Sequence, residues 1–155
     1  MLVKKFIHVG EFYIGVKPTE VSTILGSCVA VCLYDKVEMI GGMNHYLVPL
    51  WNGNGLQSPK YGDVAIHRLV EGMLNIGCNL NNIEAKIFGG ANVIDMVSKE
   101  NMMVGRKNII IAQEVLDEYK IPIVAKDVGG VRGRRILLQT ESGKILLKYL
   151  KEGEH

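Results

Sequence analysis

No run of 18 uncharged apolar residues occurs in this sequence, so no membrane-spanning helix is expected. The opening Met1-Leu-Val-Lys-Lys-Phe-Ile-His8 has two lysines but no apolar stretch of signal-peptide length behind them, which predicts a soluble cytoplasmic protein. An excess of one charge is also missing. Eighteen Lys+Arg against 16 Asp+Glu leave a net charge of +2, and the densest cluster is Arg132, Arg134 and Arg135, too little to argue for nucleic acid. Those arginines read as solvated strand-face charges. Cysteine is sparse and odd in number. Cys28, Cys32 and Cys78 form no C-x-x-C pair and have no histidine at zinc-ligand spacing, which speaks against a disulfide framework, a bound metal and a disulfide oxidoreductase. No G-x-G-x-x-G follows a strand, and no Walker-type G-K-[ST] occurs, so nothing supports a nucleotide or any other cofactor.

Glycine, by contrast, is plentiful: 18 of 155 residues, where about 7% is usual. The glycines follow no Gly-X-Y period, and 48% of the residues are apolar, so collagen-like and disordered chains are excluded. The expectation is one globular domain over residues 1–155, close to the usual domain size.

The first half reads as strands over 12–16, 21–25, 29–34 and 39–48, separated by Lys17-Pro18, Gly26-Ser27 and Asp35-Lys36. Strands so close together are expected to pair antiparallel. A loop around Trp51 follows. Ile66, Leu69, Val70, Met73 and Leu74 then mark one face of a helix that begins near Ser58 or Asp63 and is capped by Gly77. Further on come a strand over 84–88, a short helix over 92–98, and a helix over 107–119 with Ile109, Ala112, Leu116 and Tyr119 inward. Strands over 121–125, 136–139 and 145–149 close the chain, the last two joined by a hairpin at Glu141-Ser-Gly143. This order predicts an α/β chain of the α+β type: one domain of mainly antiparallel or mixed sheet, built as a layered αββ sandwich with helices packed outside.

Cys28 follows the Gly26-Ser27 corner at the start of an apolar strand. Such a corner holds a thiol at a strand edge, and its amide N–H groups can serve an oxyanion. The same residue also reads as a small core cysteine beside a turn, as Cys32 and Cys78 do. A thiol nucleophile needs a base. His8 lies in the opening segment, His155 is the last residue, and His67 on its helix is spaced to pair with Glu71. His45 closes a strand that neighbours that of Cys28, where it is either a hydrogen-bonded structural residue or a base facing the thiol across a hairpin. The pairs Gly41-Gly42, Gly89-Gly90 and Gly129-Gly130 read either as bulges and tight turns or as low walls of a site open to a large substrate.

The run Leu-Gly-Ser-Cys-Val-Ala-Val-Cys-Leu-Tyr-Asp35, followed by Gly-Gly-Met-Asn-His-Tyr-Leu-Val-Pro49, resembles the chemoreceptor glutamine deamidase family, CheD. Lys60-Tyr-Gly-Asp63, Ala85-Lys-Ile-Phe-Gly-Gly-Ala-Asn92, Val104-Gly-Arg-Lys-Asn108, Asp127-Val-Gly-Gly-Val-Arg132 and Thr140-Glu-Ser-Gly-Lys144 are similar to further family blocks, in family order, over residues 8–148. The resemblance implies a thiol amidohydrolase that converts glutamines on the cytoplasmic helices of chemoreceptors to glutamate, with hydrolysis of glutamate methyl esters as a further family activity. It implies Cys28 as nucleophile, His45 as base and the phosphatase CheC as a partner; beside it, the residues themselves read as an oxyanion corner at Gly26 and Ser27 and a site wall at Gly89 and Gly90. The alternative it leaves is a binding module for receptor and CheC with catalysis secondary. For the third catalytic position, counting six residues back from Cys28 gives Ser22, whereas matching residue type gives Thr23. In an extended strand these two point to opposite faces, so only one reaches His45; the unbroken count favours Ser22.

Overall fold

The structure, a computed structural model, describes residues 2–92 and 99–151. Among them the chain runs β1 (Val3–Phe6), β2 (Phe12–Gly15), β3 (Thr19–Leu25), β4 (Val29–Asp35), β5 (Ile40–Asn44), α1 (Gly62–Asn75), β6 (Ile83–Gly89), α2 (Lys99–Glu118), β7 (Ile123–Val128), β8 (Arg134–Gln139) and β9 (Lys144–Tyr149). The strands form two sheets, ordered β1-β3-β8-β9 and β2-β5-β4-β6-β7. β1–β3 and β6–β7 pair parallel and the other neighbours antiparallel, so both sheets are mixed.

β4 shows why the layers stack as they do. Val29, Val31 and Leu33 pack against Ala65, Leu69 and Met73 of α1 and Ala112 and Leu116 of α2. Ala30 and Cys32 point the other way, onto Val21 and Leu25 of β3 and Ile136 and Leu138 of β8. A strand covered on both faces needs an unbroken apolar run, and Val-Ala-Val-Cys-Leu33 supplies one. The result is helices on one sheet and that sheet on the second, the αββ sandwich expected from the element order.

The expected pairing of the strand over 21–25 with that over 29–34 is corrected. β3 and β4 lie in different sheets, and the Gly26-Ser27 corner carries the chain across the gap between them. The reason is burial. In β3 buried and half-buried residues alternate, as suits an outer sheet with one covered face, while β4 is covered on both.

The helix stripe Ile66, Leu69, Val70, Met73 is fully buried, and Gly77, at φ +104°, donates its N–H to Leu74 O. α2 begins at Lys99, ahead of the expected 107, and the helix expected over 92–98 lies, Asn92 apart, outside the described residues. β1 escaped the sequence reading because all four of its residues are exposed, which leaves no periodicity to find. His67 Nδ1 meets the Tyr119 hydroxyl at 2.6 Å instead of Glu71. Arg135 is a solvated strand charge as expected, but Arg134 is not. It is 3% exposed, bonds Asp127 Oδ1 at 2.8 Å, and donates to Gly129 O at 2.9 Å. Arg132 donates twice to Leu150 O.

Candidate active site

The site begins at the corner between the sheets. Each of three successive carbonyls there has its own donor: Gly26 O takes Ala91 N–H and Cys28 O takes Gly90 N–H, both at 2.9 Å, while Ser27 O takes the Asn108 side-chain amide at 3.1 Å. With the carbonyls held, the peptide planes through Ser27 and Cys28 are held too. Among the described residues, the N–H groups of Ser27 and Cys28 have no carbonyl partner.

Gly89 and Gly90 make this possible. Gly89 sits at φ +108°, and a Cβ on it would overlap the Cys28 carbonyl oxygen. Gly90 sits at φ +70°, and a Cβ there would lie 2.9 Å from Gly105 O of α2. These glycines therefore clear room for the chain's own backbone to close around Cys28. Gly129 and Gly130, also at positive φ, have open space where a Cβ would stand.

The register places His45 beside the thiol. Cys32 faces Met43 in the β4–β5 ladder, and Val29 bridges Tyr46 with N–H···O distances of 3.2 and 3.0 Å. Ala30 thus lies opposite His45, with Cys28 two residues along on the same face, a diagonal neighbour. That face looks toward the other sheet, where Thr23 of β3 waits. Its hydroxyl lies 2.7 Å from His45 Nδ1 and donates to Ile7 O at 2.8 Å. A hydroxyl has one proton. With that proton on Ile7 O, the threonine oxygen accepts, so Nδ1 carries the ring hydrogen and Nε2 is left as the basic nitrogen. Nε2 is buried and has no hydrogen-bond partner among the described residues.

The expectation that Ser22 would be the hydroxyl on His45 is corrected: Ser22 lies on the outer face of its sheet, in a shallow depression with Arg135, Leu137 and Leu146. Thr23, wholly buried, is the one that reaches inward.

Burial governs the titration of both groups. It holds the His45 imidazole down to about 4, helped by the charge of His8, and pushes the Cys28 thiol up to about 11 against a small opposing pull from its own backbone N–H. Between those values both are neutral. Cys32 and Cys78 are buried, and burial lifts them to about 12 and about 11. Cys28 is the half-exposed thiol of the three. The arrangement can therefore support thiol addition to a carbonyl, with a neutral base of fixed tautomer and two backbone donors nearby. Among the described residues no three His, Cys, Asp or Glu side chains come together as metal ligands.

Two residues escaped the sequence reading. Asn108 carries no local signal beyond its family block, and Arg134 looked like any exposed strand arginine.

No described helix is long and apolar enough to cross a membrane. Residues 49–149 match the family described as CheD chemotactic sensory transduction, a stretch that starts after His45. Relatives that align over nearly the full length span the site as well. The chain is 51% identical over 151 residues to the probable chemoreceptor glutamine deamidase CheD of Sulfurimonas denitrificans, covering 97% of each protein. It is 45% identical to the probable chemoreceptor glutamine deamidase CheD of Trichlorobacter lovleyi, over 93% of this chain and 89% of that one. It is 36% identical to the chemoreceptor glutamine deamidase CheD of Thermotoga maritima, over 98% and 96%. Similarity at this level, over this much of each protein, means that the chain belongs to the CheD family.

Proposed function

We propose that this protein deamidates glutamine side chains of chemoreceptors, with Cys28 as nucleophile, His45 as general base and acid, and Thr23 as the group that orients His45. The observation that carries this reading is the buried Thr23–His45 hydrogen bond, which leaves Nε2 unprotonated on the face His45 shares with Cys28. The names of the relatives supply the substrate class.

Because thiol and imidazole rest as a neutral pair, no thiolate is stored in advance. The proposed reaction needs Sγ to approach Nε2, and the thiol proton moves to the imidazole as sulfur attacks the carboxamide carbon. The C=O π pair goes to oxygen, which takes hydrogen bonds from Ser27 and Cys28 N–H. Loss of one such donor typically costs ~10²–10³ in turnover. As the intermediate collapses the C–N bond breaks, the imidazolium protonates the leaving nitrogen, and ammonia departs. Water then gives a proton to Nε2 as its oxygen bonds the thioester carbon, the C–S bond breaks as the intermediate collapses, and the imidazolium returns the proton to sulfur, releasing glutamate and restoring the thiol and the neutral base. A hydroxyl fixes the imidazole tautomer but brings no negative charge to the imidazolium, so turnover is expected to be modest beside a carboxylate triad.

The test mixes protein with a chemoreceptor cytoplasmic fragment and follows glutamine-to-glutamate conversion by mass spectrometry. Wild type converts and Cys28→Ala does not. Conversion that persists in Cys28→Ala overturns the reading, and a wild type that binds receptor or CheC without converting it favours the binding-module alternative.

A further inference from the structure

The geometry points to Asn108 as a positioning residue that holds the oxyanion donors in place, an inference that rests on the proposed thiol mechanism. Asn108 lies on α2, is wholly buried, and spends both hydrogens of its side-chain amide on the backbone around the site. One goes to Ser27 O at 3.1 Å and the other to Leu47 O at 2.9 Å. Ser27 precedes the nucleophile and Leu47 lies two residues beyond the base, so one carboxamide ties the two flanks together. Its own backbone is anchored as well: the buried Tyr46 hydroxyl donates to Asn108 O at 2.6 Å. The amide orientation is unambiguous, because a flip would set Oδ1 against two carbonyl oxygens.

The consequence concerns the Ser27–Cys28 peptide. This bond is trans, so its C=O and N–H point in opposite directions. A donor on Ser27 O therefore fixes where Cys28 N–H aims, away from α2. The carbonyls on either side are held by backbone N–H groups of the Gly89-Gly90-Ala91 turn. The middle one alone depends on a side chain. Without Asn108, that peptide loses its direct restraint, and Ser27 O becomes a half-buried acceptor with a reason to rotate toward water. Asn108 touches neither substrate nor sulfur in this scheme; it acts through the peptide.

The test separates a reaction that generates charge on oxygen from one that does not. Iodoacetamide alkylates Cys28 by displacing iodide from a CH2 group, with no oxyanion. A peptide whose glutamine carboxamide is replaced by an aldehyde reacts differently: Sγ bonds to the aldehyde carbon, the π pair moves to oxygen, and the thiol proton passes through His45 to that oxygen. Aldehyde affinity is read from protection of Cys28 against iodoacetamide. In Asn108→Leu, which keeps about the same volume and loses the donors without adding a charge, aldehyde affinity and kcat are expected to fall about 10²-fold. The alkylation rate, its pH profile and KM stay within about twofold. Asn108→Ala serves as second variant, with circular dichroism showing which of the two is folded. Aldehyde affinity unchanged in a folded variant overturns the inference, as does an alkylation rate that falls in parallel with it. The proposed function fails separately, through deamidation that survives Cys28→Ala, and the aldehyde comparison reads the corner's geometry in either case.

Discussion

Thr23 and His45 meet with no charge between them, and this sets what each is worth. The threonine oxygen fixes a ring tautomer, so its removal costs orientation and leaves the chemistry possible. Thr23→Val is expected to slow receptor deamidation about 10²-fold and to cost about 1 kcal/mol of stability through the lost bond to Ile7 O. Ser22→Ala, on the outer face, stays within about twofold in rate. Deamidation rates and urea midpoints of the two variants check this. His45 makes a second prediction, about pH. Its folded pKa, held down to about 4, lies below the 6.5 it has when free, so between those values the unfolded chain binds the extra proton. Stability therefore falls as pH drops from about 6.5 toward about 4 and is fully present above that window. Urea midpoints at pH 7 and 4.5 measure the drop, and His45→Gln flattens it. Cys28 and His45 were legible as candidates in the sequence because a Gly-Ser-Cys corner and a strand-ending histidine are local features. The choice between Ser22 and Thr23 was not. Alternation says that they face opposite ways, and only the packing of one sheet on the other says which way is in.

At the scale of elements, the closest approaches are made by glycines. Gly89 and Gly90 let β6 turn against the Cys28 backbone and let α2 press on that turn, and so bring Asn108 within reach of Ser27. An alanine at Gly89 pays for its positive φ and for overlap with a carbonyl. Gly89→Ala is expected to destabilise by about 2–4 kcal/mol. Gly53→Ala, at φ +87° with open space around it, is expected to cost about 1 kcal/mol. Chemical denaturation separates the two. The glycine excess announced unusual backbone without saying where. The pairs were legible as turns, but not that helix and strand would press against them, since nothing local records a neighbour distant in sequence. Pairing β3 with β4 fails for a related reason. A hairpin and a passage between sheets share the same turn chemistry, and only the contrast between the alternating pattern of β3 and the continuous one of β4 distinguishes them.

Across the whole molecule, the sheets are joined near the site by Arg134. It stands on β8 in one sheet and bonds Asp127 on β7 in the other, with further donation to the Gly129 carbonyl beyond β7. Arg134→Met is expected to cost about 2 kcal/mol, since it takes the guanidinium from Asp127, which keeps only the Tyr149 hydroxyl as donor among the described residues, and leaves the Gly129 carbonyl without its bond to Arg134; calorimetry reads the loss. Thiol access offers a check on the packing. Brief iodoacetamide treatment of the native protein should modify Cys28 alone, whereas urea exposes Cys28, Cys32 and Cys78 to the same reagent, as counted by mass spectrometry. The layer order was legible from helix stripes and strand runs, but the buried arginine was not, because its partners lie on other strands. The split of Thr23 and His45 between two sheets has a further consequence in time. Thr23 sits on β3, whose antiparallel neighbour is β8, far downstream. On the ribosome, Cys28 and His45 emerge early, yet the strand that braces the threonine comes almost last. On the proposed mechanism, a chain that has not yet paired β3 with β8 has its thiol and imidazole but not the braced threonine that orients the ring.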